Sequence, residues 1–132
     1  MSEAEQEERD RIERLMQSDR AVFVFGSNLA GRHGAGAAAD ATALYGALYG
    51  KGSGFQGRSY AIATKGWNLR TLSIGQIRLE VYAFIEYAKA NPETVFAVTR
   101  IGCGLAGYHD EDIAPLFNKA PSNCSLPTGW RK

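Results

Sequence analysis

The sequence predicts one α/β domain whose mostly parallel central sheet lies between two layers of helices. Three observations indicate this class. Short apolar runs that suit buried strands alternate with segments of helical periodicity, the connections are short, and glycine-rich loops directly follow two of the apolar runs. With 132 residues, 45% of them hydrophobic, the chain can build one sizeable core. We therefore expect a three-layer α/β/α architecture.

The N-terminal residues predict an amphipathic helix. Residues 2–17 are rich in strong helix formers, carry acids near their start, and place Ile12, Leu15 and Met16 at helical spacing. We assign residues 1–20 to this leader helix and residues 21–132 to the domain. The run AVFVF, residues 21–25, is apolar throughout and predicts a first strand that is buried on both faces.

The middle of the chain predicts a second helix and a second strand. Residues 35–48 are dominated by alanine and leucine, which predicts a helix packed closely on the sheet and ended by Gly46 and Gly50. Residues 49–57 contain too much glycine for a regular element. The apolar run over residues 59–64 then predicts strand two.

The second half of the chain predicts a helix, a strand and a short helix. Apolar residues over 74–90 follow the i, i+3, i+4, i+7 pattern of one helix face, and Asn91-Pro92 ends that helix. Residues 94–99 predict a third buried strand, followed by a loop and a short helix over residues 110–117. The tail, with Pro121, Pro127 and Trp130, is expected to cover the surface without regular structure.

Charge and cysteine content limit the functional classes. Fifteen basic and fourteen acidic residues leave a net charge of +1, so no overall field favours nucleic acid or an anionic membrane. The two cysteines lack the spacing of a disulfide framework or zinc site, and residues 1–20 lack the apolar stretch of a signal peptide. We expect a soluble, cytoplasmic protein with no metal or cofactor, in which His33 and His109 are solvent-facing.

The first glycine-rich loop, residues 26–41, is a candidate anion site. Its four glycines allow backbone amides to approach a ligand, and the N-terminus of the following helix adds partial positive charge. These features suit pyrophosphate, although the spacing differs from a GxGxxG fingerprint. The alternative is that the glycines only form a tight turn. The predicted ligand contacts in this loop are Gly26, Ser27, Asn28, His33, Gly34, Ala35, Gly36 and Ala37.

The second glycine-rich loop, RIGCGLAGYHDED over residues 100–112, also follows a buried strand. Ligands in open α/β sheets bind beyond the carboxyl ends of the strands, so both loops can share one crevice around an extended diphosphate. We interpret Cys103 as a packed thiol, because no histidine or acid in the motif is placed to activate it. The predicted contacts here are Gly102, Cys103, Gly104, Leu105, Ala106, Gly107 and Tyr108.

Lys65 closes the second predicted strand in AIATKGW, where an ammonium can meet a phosphate or a ribose. A solvated surface lysine is the alternative interpretation. Trp67 and Tyr108 are candidates for stacking on a base, or for ordinary packing at the rim of the loops.

Three motifs carry a family resemblance: VFGSN followed by HGAGAA, the strand-end ATK, and RIGCGL. Over about residues 22–117 the chain resembles the ADP-ribose-binding macro-domain family, and most of all its terminal ADP-ribose protein glycohydrolase-type branch. It is also similar to macro-like proteins encoded by phages and prophages. The resemblance implies a macro-domain-like fold and places Asn28 on the family asparagine, against the distal ribose.

The resemblance also bears on catalysis. In that branch a strand-end lysine, matched here by Lys65, attacks the ribose anomeric carbon, and an aspartate in the second loop completes the reaction. Ala106 stands at the position of that aspartate, and Ala38 stands where another hydrolytic branch has an acid. Asp40 or Asp110 could substitute if either side chain faces the crevice.

These observations lead to a first hypothesis and two alternatives. The first hypothesis is a module that binds ADP-ribose or a related nucleotide. One alternative is a hydrolase of the distal ribose, either an ADP-ribosyl hydrolase or an ADP-ribose 1″-phosphate phosphatase, that uses Lys65. The other is a protein-interaction domain in which the leader helix binds a partner or a second copy, and the glycines are structural.

Overall fold

The computed structural model describes residues 1–131 and has an α/β fold built on a mixed, mostly parallel five-stranded sheet. The α/β class and the mostly parallel sheet that the sequence predicted are thus confirmed. The elements in chain order are α1 (Glu3–Met16), β1 (Ala21–Asn28), α2 (Gly36–Leu44), β2 (Gly54–Gln56), β3 (Ser59–Lys65), α3 (Ile74–Ala90), β4 (Val95–Val98), α4 (Asp110–Ile113), a 3₁₀ turn (Ala114–Phe117) and β5 (Cys124–Ser125).

The sheet has the order β2-β3-β1-β4-β5, with the first strand of the chain at its centre. β1 pairs in parallel with both β3 and β4, and β5 continues the parallel set beyond β4. Only β2 is antiparallel, to β3. The unbroken apolar run at the start of β1 is explained by this central position, because both faces of the strand are covered.

Different helices cover the two faces of the sheet. On one face, Val22 and Val24 of β1 belong to a large core cluster with α3 and the 3₁₀ turn. On the opposite face, Phe23 and Phe25 belong to a second cluster that contains Met16 of α1 and the alanines of α2. The small side chains of α2 allow it to lie close to the sheet.

After the adjacent strands β1 and β4, the chain turns toward opposite faces of the sheet. β1 leads into α2, which packs with the second cluster, whereas β4 leads into α4 and the 3₁₀ turn, which pack with the first. Where neighbouring parallel strands diverge in this way, a crevice opens beyond their carboxyl ends. The fold therefore provides a site between the two glycine-rich loops.

The helix over residues 74–90 was predicted with the bounds that the structure has. Ser73 Oγ accepts a hydrogen bond from the backbone N–H of Gln76 at 3.2 Å, and Gln76 Oε1 accepts one from the backbone N–H of Ser73 at 3.1 Å. This reciprocal capping fixes the start of α3. No helix among residues 1–131 is both long and apolar enough to cross a membrane.

Several boundaries differ from the sequence prediction, and one strand was not predicted. β1 continues through residues 26–28, which were assigned to a loop, and α2 ends at Leu44 rather than at residue 48. Gly46, with a φ of +72°, turns the chain away from the helix. Residues 54–56 were expected to be irregular but form β2, because a two-residue turn at Gly57 and Arg58 returns the chain against β3.

The prediction of an irregular surface tail is also wrong. Cys124 and Ser125 form β5, and the side chains of Cys124 and Trp130 are buried. The Trp130 ring packs 5.4 Å from that of Phe117, and its Nε1 donates a hydrogen bond to Asp110 Oδ1 at 3.1 Å. The tail therefore completes the core that surrounds α4.

Two segments, residues 28–31 and 50–52, pack backbone against backbone. Gly31 has a φ of +70°, and a Cβ at this residue would overlap the backbone of Gly50 and Lys51. A Cβ on Gly52 would overlap the carbonyl oxygen of Asn28. Gly50 N–H also donates to the Gly31 carbonyl at 2.8 Å. The glycines between α2 and β2 thus support the loop that follows β1.

We expect Gly52→Ala to lower the free energy of unfolding by about 1–3 kcal/mol, because the added methyl group meets backbone that cannot move aside. The matched control is Gly34→Ala, in the same supported loop, where a Cβ meets no atom within 4 Å. Its effect should stay within about 0.5 kcal/mol. Urea denaturation of both variants measures the difference, and equal stabilities would show that the close packing of residues 28–31 on 50–52 is not a constraint.

Candidate functional site

A crevice with a volume of about 420 Å³ lies beyond the carboxyl ends of β1, β3 and β4. Its walls come from the end of β1, the loop that leads to the start of α2, the end of β3 and the loop after β4. The two glycine-rich loops therefore meet in one site. The predicted site residues that line it are Gly26, Ser27, Asn28, Ala35, Gly36, Ala37, Lys65, Gly102, Gly104, Leu105 and Ala106.

Other predicted contacts lie outside this lining. His33, Gly34, Cys103 and Gly107 do not line the crevice. Tyr108 packs against the core, and its hydroxyl donates to the Leu72 carbonyl at 2.7 Å. Trp67, the candidate for base stacking, is 73% exposed and is not part of the lining either.

His33 is buried, so its predicted solvent-facing role is wrong. Its side chain is 4% exposed and lies edge-on to the Phe25 ring, with centroids 5.2 Å apart. Nε2 lies 2.9 Å from the Lys51 carbonyl oxygen. The segment around Lys51 folds over the first loop, and this long-range contact gives no signal in the local sequence around His33.

Sequence reasoning missed several lining residues, of which two are charged. Arg32 and Arg100 lie in the glycine-rich loops, so their positive charge in the sequence already indicated that they could contact an anion. Among residues 1–131, the crevice is lined by the cations Arg32, Lys65 and Arg100 and by no aspartate or glutamate. Arg100 is paired with Asp110, but Arg32 and Lys65 form no ion pair, so the site is locally positive although the whole chain is nearly neutral. The other lining residues that were missed are Ala38, Thr64, Thr99 and Ile101.

Two groups of backbone amides at the crevice have no hydrogen-bond partner among the described residues. One is the N-terminus of α2, where Ala35 gives no side-chain cap and the N–H groups of residues 36–38 are unpaired. The other is the second loop, where the N–H groups of residues 104–106 are unpaired. Unpaired amides of this kind bind anions.

Asn28 organises the first loop through its side chain. Its Nδ2 donates to the Arg32 carbonyl at 3.0 Å, and its Oδ1 accepts from the Arg32 N–H at 2.9 Å. The amide therefore closes the turn that carries Arg32 to the crevice. One N–H of Nδ2 and one lone pair of Oδ1 stay available for a ligand.

Lys65 reaches the crevice at an irregularity in the sheet. Ser27 pairs with Ala63 and Asn28 pairs with Lys65, so Thr64 is an extra residue in β3. Such bulges redirect side chains at the ends of strands. The ammonium of Lys65 forms no hydrogen bond or ion pair within residues 1–131, which leaves it free to contact a ligand.

Arg100 is fixed by Asp110 at the edge of the second loop. Its Nε and Nη2 donate to Asp110 Oδ1 at 3.0 and 2.8 Å, and Trp130 Nε1 donates to the same oxygen. Burial favours a higher pKa for Asp110, but the hydrogen bonds from Arg100 and Trp130 outweigh it and lower the pKa. The carboxylate holds Arg100 and does not line the crevice.

Asp40 and Asp110, the two acids considered as replacements for the catalytic acids of the resembled family, lie outside the crevice. Asp110 is held by Arg100 and Trp130, and Asp40 lines a neighbouring cavity. Ala38 and Ala106 do line the crevice.

Burial, with the nearby Asp110 charge, raises the pKa of Cys103 to about 11, so its thiol stays protonated at neutral pH. The described residues also contain no group of three or more metal-ligating side chains.

Comparisons of the chain with protein-family models, with curated proteins and with solved structures gave no match. The site is therefore interpreted from its own geometry and chemistry.

We expect Asp110→Asn to destabilise the protein near neutral pH and to matter less in acid. A lowered pKa stabilises the folded state above the ordinary value of 3.8, and this contribution is lost as pH falls through the folded value. Urea unfolding across pH measures the gap between wild type and variant, with the exposed Asp10→Asn as control. A gap that does not change with pH would contradict the lowered pKa.

Proposed function

We propose that the crevice binds ADP-ribose or a related ADP-ribose-derived nucleotide. One observation carries the proposal: two groups of unpaired backbone amides, residues 36–38 and 104–106, line a crevice that has three cations and no carboxylate within residues 1–131. This combination suits an anion with several oxygens. A neutral or cationic ligand would leave these donors unsatisfied, at about 1–3 kcal/mol for each donor that it buries.

The arrangement favours a diphosphate over a single phosphate. The amides lie on two separate loops, and the α2 N-terminus adds the partial positive charge of its dipole. Two linked phosphates can meet both groups of donors, whereas one phosphate meets one group. A crevice of about 420 Å³ also has room for sugar beside the phosphates.

Support for a three-layer, macro-domain-like arrangement comes from the helices on both faces of the sheet and from the motif resemblance. In that arrangement Asn28 and Lys65 contact the distal ribose, at the ends of the adjacent strands β1 and β3. The second loop closes over the phosphates. The remaining hydrogen-bonding capacity of the Asn28 amide is consistent with this role.

A hydrolase of the distal ribose is the second candidate, and the observation in its favour is Lys65. Lys65 lines the crevice, and its ammonium has no partner within the described chain. A lysine nucleophile or phosphate clamp still needs a proton-transfer partner, which commonly contributes about a hundredfold or more in rate. Since alanines stand where the acids are expected, binding without turnover is the better-supported function.

A protein-interaction domain built on α1 has less support. Met16 of α1 is buried against the sheet, and Arg11 Nη2 donates to the Val98 carbonyl at 2.6 Å. The apolar side of the helix is thus occupied within its own chain, which leaves the exposed acidic side for a partner.

We expect calorimetric titration to show binding of ADP-ribose, with Arg32→Ala weakening it by about tenfold or more because a charge-assisted contact is lost. The Arg32 side chain has no partner within residues 1–131, so the fold should tolerate its removal. The matched control, Arg78→Ala, removes an exposed cation of α3 outside the crevice. Absence of heat with ADP-ribose, NAD, ADP and ADP-ribose 1″-phosphate would refute the proposal.

For Lys65→Ala we expect weaker ADP-ribose binding, and no product from the wild-type protein, because the ammonium serves as a ligand contact. Calorimetry measures the affinity, and chromatography of the titrated samples shows whether ligand was converted. Turnover by the wild type that disappears in Lys65→Ala, with affinity kept within a few fold, would instead establish the hydrolase.

A further inference from the structure

A second cavity, of about 360 Å³, lies directly beside the crevice. The two share Gly36, Ala37, Thr99 and Arg100 as lining residues, so both cavities border the start of α2. On its other side the second cavity is closed by α1. The leader helix thus forms part of the same composite site.

The wall that α1 provides is held in place by hydrogen bonds to the sheet and the tail. Arg11 donates from Nη2 to the Val98 carbonyl, from Nη1 to the Ser125 carbonyl at 3.1 Å, and from Nε to Glu8 Oε2 at 2.6 Å. Glu8 Oε1 in turn accepts from the Thr128 N–H at 2.8 Å. Because these polar groups are already paired, the wall is formed before any ligand arrives.

Three charged side chains of this cavity form no ion pair within the described chain, Asp40 from α2 and Glu5 and Arg9 from α1. Its apolar lining comes from Ile12 and Phe23. Apolar side chains beside a carboxylate that can accept hydrogen bonds and a planar guanidinium suit a purine nucleoside, since a base packs on apolar and guanidinium groups.

Asp40 has the spacing that a ribose requires. It lies four residues after Gly36 on α2, which is about 6 Å along the helix axis from the unpaired amides at its start. A phosphate on those amides would bring the hydroxyls of a 5′-phosphorylated ribose near the carboxylate. In nucleotide-binding α/β proteins a carboxylate commonly accepts hydrogen bonds from ribose hydroxyls, although it usually lies further along the chain than Asp40 does here.

We propose that the second cavity binds the adenosine half of the nucleotide, with Asp40 accepting hydrogen bonds from its ribose hydroxyls and α1 covering the base. This inference rests on the proposed function of the crevice and adds a specificity-determining residue to it. The shared lining residues hold the diphosphate, the crevice holds the distal ribose, and the leader helix becomes part of the ligand site.

The test compares ADP-ribose with 2′-phospho-ADP-ribose, which carries a phosphate on the adenosine ribose. The wild-type protein should bind ADP-ribose at least about tenfold more tightly, because the 2′-phosphate would place a negative charge against the Asp40 carboxylate. Asp40→Asn should reduce this preference to about threefold or less. The control Asp10→Asn removes an exposed acid of α1 outside the cavity and should leave the preference unchanged.

A purely structural role of Asp40 would alter both affinities together and leave their ratio as it is. Wild-type binding of ADP-ribose with a ratio that Asp40→Asn does not change would overturn this inference and leave the proposed function intact. Wild-type protein that binds neither compound would overturn both. Photolabelling with 8-azido-ADP-ribose gives an independent answer: labelled peptides should include residues 5–12, and labels confined to the loop over 104–108 would also overturn the inference.

Discussion

The close packing of residues 28–31 on residues 50–52 is the constraint on which the site depends. Because Gly31 and Gly52 have no side chains, two backbone segments approach closely enough to hold the loop after β1. Ser27 Oγ donates to the Gly52 carbonyl, and His33 contacts the Lys51 carbonyl, so polar groups reinforce the same contact. The loop in turn determines where α2 begins, and with it the direction of the unpaired amides that face the crevice.

The sequence predicted those elements whose burial follows from local periodicity. The run over 21–25 and the helix over 74–90 have one dominant pattern each, and Ser73 and Asn91 mark the ends of that helix. It could not predict elements that need a distant partner. β2 forms because its backbone pairs with β3. The tail is ordered because Trp130 packs against Phe117 and donates a hydrogen bond to Asp110. In these segments tertiary contacts override weak local signals.

In the candidate site, too, features that depend on the local sequence were predictable, whereas features that depend on distant contacts were not. Glycine-rich loops after two strands were sufficient to predict one crevice, because the carboxyl ends of parallel strands lie at one edge of a sheet. Asn28 and Lys65 were predicted to line it and do, but the orientation of several other side chains was not predictable. His33 turns inward and Asp110 turns to Arg100, whereas Arg32 reaches the lining because the Asn28 amide closes its turn. Such choices depend on hydrogen bonds between residues that periodicity does not relate.

The two edges of the sheet have a consequence for how the protein behaves at high concentration. The outermost strands are the shortest, with three residues in β2 and two in β5. Where β3 extends beyond β2, Glu80 Oε1 accepts a hydrogen bond from the Ala63 N–H at 2.8 Å. This backbone donor is then no longer available to another strand. Short, blocked edges give a second molecule little backbone to pair with, so the fold resists edge-to-edge polymerisation into extended β-structures.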